Sequence, residues 1–245
     1  IDDEDALSLS ISDAVKKIRG PADTSVKLNV LRGTEQLEFV IVRSEIKIPS
    51  VEYEVLEGNV CNIRISRFSD DTDLIVKEAT KACKDKSATT VLLDLRNNPG
   101  GYLEQAIRVS SHWVEQGKNV VTEKRSGKVI KEHPATVGQE FKGMKTVVLI
   151  NSGSASASEI VAGALKDYAV ASLVGEKSYG KGSVQEVDPL GGGTSLKITI
   201  ARWFTPNDKN IDKEGIEPNE KVEITSDQAK AGEDPQKAKA LELLK

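Results

Sequence analysis

Four serines crowd into the stretch Ser152-Gly153-Ser154-Ala155-Ser156-Ala157-Ser158. A serine hydroxyl becomes a nucleophile only when another group takes its proton. An apolar run, Thr146 to Ile150, precedes the cluster, and Ile160, Val161, Ala164 and Leu165 follow it at helical spacing. The cluster therefore lies on a strand-to-helix turn. Ser156 stands where the helix should begin, and Glu159 lies three residues on, the spacing of a capping box. A hydroxyl at that place sits beside free backbone N–H groups and the positive end of the helix dipole, both of which favour a developing oxyanion. Ser152, Ser154 and Ser158 compete with Ser156 on local chemistry, although Ser158 already falls inside the helix.

The usual base for such a serine is histidine. The chain holds two, His112 and His133. His112 lies in a helix-like segment beside Trp113, and His133 lies in a polar stretch before Pro134, so neither is in a loop that would present it. Lys181 is better placed, because Gly180 and Gly182 flank it and let the backbone turn tightly. An amine accepts a proton only when neutral. From an ordinary pKa of about 10.4, working near pH 7 costs about 4 kcal/mol, which burial can supply. Gln185 can bond and aim that amine without adding charge; a carboxylate there would hold the ammonium form and spoil the base. Residues 175–181 also fit most of the phosphate-loop pattern G-x-x-x-x-G-K-[ST]. Gly182 replaces its final hydroxyl, and the strand-like Ser183-Val184-Gln185-Glu186-Val187 replaces its helix, so nucleotide binding is not expected.

A third stretch is Asp94-Leu95-Arg96-Asn97-Asn98-Pro99-Gly100-Gly101, which ends a buried strand and opens a helix. Loops at the carboxyl ends of parallel strands are where α/β proteins build sites, and two glycines let backbone N–H groups approach a substrate oxygen. Tyr179 either lines a groove beside Lys181 or packs as an ordinary aromatic.

The stretch Asn151 to Glu159, the Gly175-Glu176 pair with Tyr179-Gly180-Lys181-Gly182, and Gln185 together resemble the active-site signature of the carboxy-terminal processing peptidases. These are the tail-specific Ser-Lys proteases of the S41 family, which carry a built-in PDZ domain. The resemblance runs from about Ser10 to the C-terminus. It implies that Ser156 is the nucleophile, that the lysine 25 positions on (181 minus 156) is the base, and that Gln185 orients it. It implies an oxyanion hole from the N–H of Ala157 and that of Gly100 or Gly101, a choice the sequence leaves open. The implied activity is that of a serine endopeptidase cutting protein substrates near flexible C-terminal tails, with no cofactor and no metal. Assembly with further copies or an adaptor, and a home in the bacterial periplasm or cell envelope ahead of the thylakoid lumen, are implied as well. The rivals are a catalytically inactive member that binds peptides or hydrophobic ligands, and a pure PDZ interaction module.

The elements that must position these residues follow from periodicity. Residues 1–44 are by periodicity a generic helix-plus-hairpin, a helix capped by Ser10 with Ala14, Val15 and Ile18 inward, then strands Val26 to Leu31 and Leu37 to Arg43; the family resemblance implies a partial PDZ-like domain whose first half is absent. Glu45 to Pro49 reads as a linker. Residues 45–245 read as an α/β protease core with a mostly parallel sheet and crossover helices. Its strands are Val60 to Ile65, Thr89 to Leu95, a hairpin about Ser126-Gly127, Thr146 to Ile150, Val170 to Val174 and Leu196 to Phe204. A helix follows Asp71, a second runs from Leu103 past Val114, and a third covers Lys237 to Leu244. Asn207 to Pro218 is a polar loop, read equally as the family's loop after the last core strand and as plain surface.

A net charge of −4 gives no electrostatic case for nucleic acid or anionic membrane. Apolar runs of about five or six residues are too short for a transmembrane helix. No signal peptide is evident, and Ile1 is not a natural start. Cys61 and Cys83 are expected to be two small buried side chains rather than a disulfide, and no further Cys or His stands at metal-ligand spacing to them.

Overall fold

The computed structural model describes residues 1–45 and 48–245. They form two compact units, Ile1–Ile48 and Pro49–Lys245. Of the expected linker, residues 46 and 47 lie outside the described residues.

The first unit holds α1 (Ile11–Ile18) and the antiparallel hairpin β1 (Ser25–Arg32) and β2 (Glu35–Val42). Ser10 caps α1, its hydroxyl accepting the Asp13 N–H at 3.2 Å. Val15 was expected to face inward but is exposed, and no residue of α1 is buried. Phe39, Val40, Ile41 and Val42 are exposed too. One short helix and a two-stranded ribbon have too little surface to cover their own apolar faces.

In the second unit the described residues form a six-stranded sheet, ordered β12-β9-β8-β5-β4-β3. Its strands are β3 (Val51–Leu56), β4 (Val60–Ile65), β5 (Thr90–Asp94), β8 (Lys145–Ile150), β9 (Ser172–Gly175) and β12 (Glu220–Lys221). All neighbours pair parallel except β3, which runs antiparallel to β4. The crossover helices are α2 (Thr72–Asp85), α3 (Leu103–Ser110) and α4 (Ala157–Asp167). Side chains alternate across the sheet. Val91 and Leu93 join the core with Val76, Ala106 and Val161, whereas Leu92 joins Val147, Leu149 and Val174 on the other face. That second face is closed by α6 (Pro235–Leu244) through Ala240 and Leu244. Burial on both faces explains why β5 reads as a continuous apolar run.

The hairpin β6 (Asn119–Arg125) and β7 (Lys128–Pro134) leaves the parallel sheet. It joins β10 (Ser183–Gly191) and β11 (Thr194–Phe204) in a second, antiparallel sheet ordered β10-β11-β6-β7. The chain therefore visits this sheet between α3 and β8, a detour that strand-helix alternation does not reveal. α3 stops at Ser110, short of the expected end, where the chain tightens into turns, His112 N–H donating to the Val109 carbonyl at 3.2 Å and Trp113 N–H to the Ser110 carbonyl at 3.0 Å. Trp113 and Val114 remain buried beyond it, so their apolar stripe imitates a longer helix. β3, the two-residue β12 and α5 (Ser226–Ala231) carry too little pattern to be foreseen.

Cys61 and Cys83 correct the expectation of free thiols: they form a disulfide that ties β4 to the last turn of α2. Spacing of 22 residues said nothing of this; the crossover of α2 onto the sheet brings their Cα atoms within 5.5 Å. A closed loop of this length is worth about 3 kcal/mol of unfolded-state entropy. The Cys61→Ala/Cys83→Ala double variant should melt about 6–12 °C below wild type by calorimetry, and an unchanged midpoint would remove the bond from the account.

Candidate active site

The loops after β5, β8 and β9 meet at the carboxyl ends of the parallel strands, the side of such a sheet where sites form. β8 runs into the serine cluster. Ser154 is fully buried and its hydroxyl donates to the Leu95 carbonyl at 2.8 Å. Ser158 is also buried, and its hydroxyl donates to the Asn98 carbonyl at 3.0 Å. These two serines fasten the turn to the loop after β5 and are spent on structure. Ser152 is exposed in the turn. Ser156 is half-buried at the N-cap of α4, with φ 56° and ψ −114°, and its hydroxyl makes no cap bond. That conformation costs a non-glycine residue about 1–3 kcal/mol, so the surroundings must hold it.

Glu159 does the holding. Its side chain is fully buried in the first turn of α4. One carboxylate oxygen accepts both the Ser156 N–H and the Lys181 N–H, each at 2.8 Å. The other oxygen accepts the Gly180 N–H and the Ser178 hydroxyl, each at 2.6 Å. A buried carboxylate is costly unless its lone pairs are met, and here four donors meet them. The capping spacing found in the sequence is thus half of a larger bridge from the turn after β8 to the loop after β9. Glu159→Gln keeps the shape but turns an NH₂ toward donors. It should lower turnover about 10- to 100-fold by loosening both loops, checked by kcat on a flexible peptide.

The loop of Ser178 to Gly182 is cradled by residues 211–216. Lys213 N–H donates to the Gly180 carbonyl at 2.8 Å, and Ile216 N–H to the Ser178 hydroxyl at 2.7 Å. A Cβ on Gly182 would come within 2.1 Å of the Asp212 nitrogen, so only glycine passes there. The Asn207 to Pro218 loop, open in the sequence reading, is this cradle. Tyr179 is exposed, which overturns its reading as a packed aromatic.

In the loop after β5, a Cβ on Gly100 would lie 2.7 Å from the Ser156 Cβ and 3.0 Å from the Ala157 nitrogen. Gly101 instead presses on Phe68, whose carbonyl a Cβ would approach to 2.0 Å. The Gly100 N–H is already donated to Asn98 Oδ1 at 2.9 Å. Neither the Gly101 N–H nor the Ala157 N–H is donated to another described residue.

Lys181 and Gln185 depart from expectation. Both residues are exposed, and neither side chain hydrogen-bonds to another described residue, so burial does not desolvate the amine here. For Gln185 the strand geometry gives the reason: β10 is the edge of the second sheet, and Gln185 pairs with Thr199 across it with no strand on its other side.

A family model, Peptidase family S41, matches residues 59–222. The chain belongs to peptidase family S41. A Bartonella bacilliformis protein named carboxy-terminal-processing protease is 40% identical over 229 residues, which are 91% of this chain and 52% of that protein. A Staphylococcus aureus protein named probable CtpA-like serine protease is 35% identical over 245 residues, 96% of this chain and 49% of that protein. The chain thus spans about half the length of the curated relatives it matches. Among solved structures, the photosystem II D1 C-terminal processing protease superposes with a TM-score of 0.66 at 26% identity, covering 91% of this chain and 61% of that one. The mostly parallel α/β core is accordingly an S41 fold.

The two histidines sit in structural roles in this S41 chain. His133 is buried on β7 with its Nε2 at 2.7 Å from Glu123. His112 is buried with Nε2 at 3.1 Å from Asp73 Oδ1, and Glu140 approaches Nδ1 to 2.8 Å without hydrogen-bond geometry. Burial alone would raise the Asp73 pKa, but the hydrogen bonds from His112 and Lys77 outweigh it and hold the carboxyl down at about 2. A depressed carboxyl stabilises the fold above its free value of 3.8 and loses that contribution as pH falls through about 2. The contribution is about 2 kcal/mol. Asp73→Asn should therefore flatten the acid limb of the melting temperature between about pH 4 and pH 2; a limb as steep as wild type would contradict this. Among the described residues, no group of three or more His, Cys, Asp and Glu is arranged to hold a metal ion.

Proposed function

We propose that this chain is the catalytic core of a carboxy-terminal processing serine endopeptidase. Ser156 attacks the peptide carbonyl, and Lys181 Nζ takes its proton. The tetrahedral oxyanion is received by the N–H of Ala157 and that of Gly101, the glycine whose N–H is not already given to Asn98. Lys181 returns the proton to the departing amine, leaving an acyl-enzyme on Ser156. Water then gives a proton to Lys181, attacks the ester, and the ammonium restores the serine hydroxyl. Gln185 aims the amine.

The observation that carries this reading is the single Glu159 oxygen that accepts the N–H of both Ser156 and Lys181. A buried carboxylate joining these two backbones has no purpose in a surface loop. Because Lys181 is exposed in the free chain, the peptide that docks over it supplies the missing desolvation. The names of the relatives support C-terminal tails as the cleaved segments. The Cys61–Cys83 disulfide supports an oxidising, extracytoplasmic compartment, since such bonds are rare in reducing cytosol. Among the described residues no helix is long and apolar enough to cross a membrane.

The test compares a folded reporter bearing a flexible C-terminal tail with the same reporter lacking it. Cuts confined to the tail are expected. Equal cutting of both reporters would contradict tail processing.

A further inference from the structure

The polar first turn of α6 lies against the strand ends that carry the catalytic loops. Arg96, the residue before the Asn97–Gly101 loop, spreads its guanidinium between two carboxylates. It reaches Asp94 at 3.0 and 2.7 Å and both oxygens of Asp234, the N-cap of α6, at 2.8 Å. The same guanidinium donates to Gln236 Oε1 at 3.1 Å. Gln236 is almost fully buried, and its Nε2 donates to the Val222 carbonyl at 2.8 Å and to Glu176 at 3.2 Å. Glu176 lies two residues before Ser178, the hydroxyl that holds Glu159.

One amide thus spans both sides of the site. From its oxygen the path runs through Arg96 to Asn97, whose N–H and side chain bond Asn151 at 2.9 and 3.0 Å in the serine turn. From its nitrogen the path runs through Glu176 to the loop of Lys181. The rest of α6 needs none of this. Its hold on the sheet comes from Ala240 and Leu244 packed on Leu92, Leu149 and Val174. A helix that only covered an apolar face would not bury an amide and draw a guanidinium in beside it, since such groups are costly unless fully bonded.

We propose that the first turn of α6 is a latch that sets the spacing of the oxyanion loop and the base loop, with Gln236 and Arg96 as positioning residues. This rests on the reading of Ser156 and Lys181 as the reacting pair. Neither positioning residue touches substrate. Their effect is on the geometry of groups that do, and a misplacement of the order of 1 Å can cost about 100-fold in rate.

The test is a reciprocal exchange. Gln236→Glu sets a second carboxylate against Glu176 and should cut kcat about tenfold or more while KM stays within about threefold. Adding Glu176→Gln relieves the facing carboxylates, although the Val222 carbonyl still lacks its donor, and kcat should recover by about a third of the logarithmic loss. A Gln236→Leu variant, which removes the bonds without adding charge, should lose kcat to a similar degree, and it stands in if Gln236→Glu does not fold. Fluorophosphonate labelling of Ser156 is followed in parallel. A wild-type chain that does not label at Ser156 overturns the nucleophile assignment and the latch with it. A wild-type chain that labels, with Gln236→Glu and Gln236→Leu equal to it in kcat, overturns the latch alone. So does a loss that Glu176→Gln fails to recover.

Discussion

Ser156→Ala is expected to lower peptide turnover by at least about 10³-fold while moving the melting temperature by no more than about 2 °C. Both halves follow from the geometry. The Ser156 hydroxyl makes no cap bond, so its removal breaks nothing that holds α4 in place. The bond that does hold the turn runs from the Ser156 backbone N–H to Glu159, and alanine keeps it. Ser154→Ala makes the contrasting control. It leaves the nucleophile but loses the hydrogen bonds to the Leu95 carbonyl and from the Asn151 N–H, so about 2 kcal/mol of stability should go. Turnover retained in Ser156→Ala, or activity passed to Ser152, would remove Ser156 from the mechanism.

Lys181→Arg is expected to be nearly as damaging as Lys181→Ala, each by about 10³-fold or more in kcat. Arginine keeps the positive charge and the reach but does not deprotonate in a protein. A group that only stabilised negative charge would tolerate the exchange. The exposure of Lys181 adds a second expectation. If docking the peptide is what covers the amine, the acid limb of kcat should lie at lower pH than the acid limb of kcat/KM, because the first reports the complex and the second the free enzyme. Coincident limbs would mean that the free chain is already arranged as the complex is. Gln185→Ala should cost less than either lysine variant, since it frees the amine without removing it.

Much of this was legible in the sequence because local chemistry and tertiary placement agree. The turn before Ser156 and the capping spacing to Glu159 are short-range patterns, and the fold keeps both. β5, buried on both faces, carries its identity in its composition. What the sequence hid depends on groups far apart in the chain. Glu159 shows only its bond three residues back; its bonds to Ser178, Gly180 and Lys181 lie across the sheet. The disulfide needs α2 laid over β4, and the Gly100 N–H is taken up only once the Asn98 side chain is in place. The burial expected of Lys181 failed because only its backbone N–H is drawn inward, to Glu159, while its side chain leaves an exposed loop; Gln185, on the edge strand β10, has no cover on its open side. The hydroxyls of Ser154 and Ser158 show why the serine cluster was ambiguous. Small polar residues suit a close-packed turn as well as a catalytic one, and Ser154 and Ser158 serve the first.

The pairing of Ser156 with Lys181 is tested most directly by the rate of fluorophosphonate capture, mapped by peptide mass spectrometry, in wild type, Lys181→Ala and Lys181→Arg. Capture needs an activated hydroxyl and an oxyanion hole but no peptide recognition. Adduct on Ser156 alone in wild type, with both lysine variants slowed about 100-fold or more, is the predicted result. Adduct on another serine, or Lys181→Arg captured as fast as wild type, would contradict it.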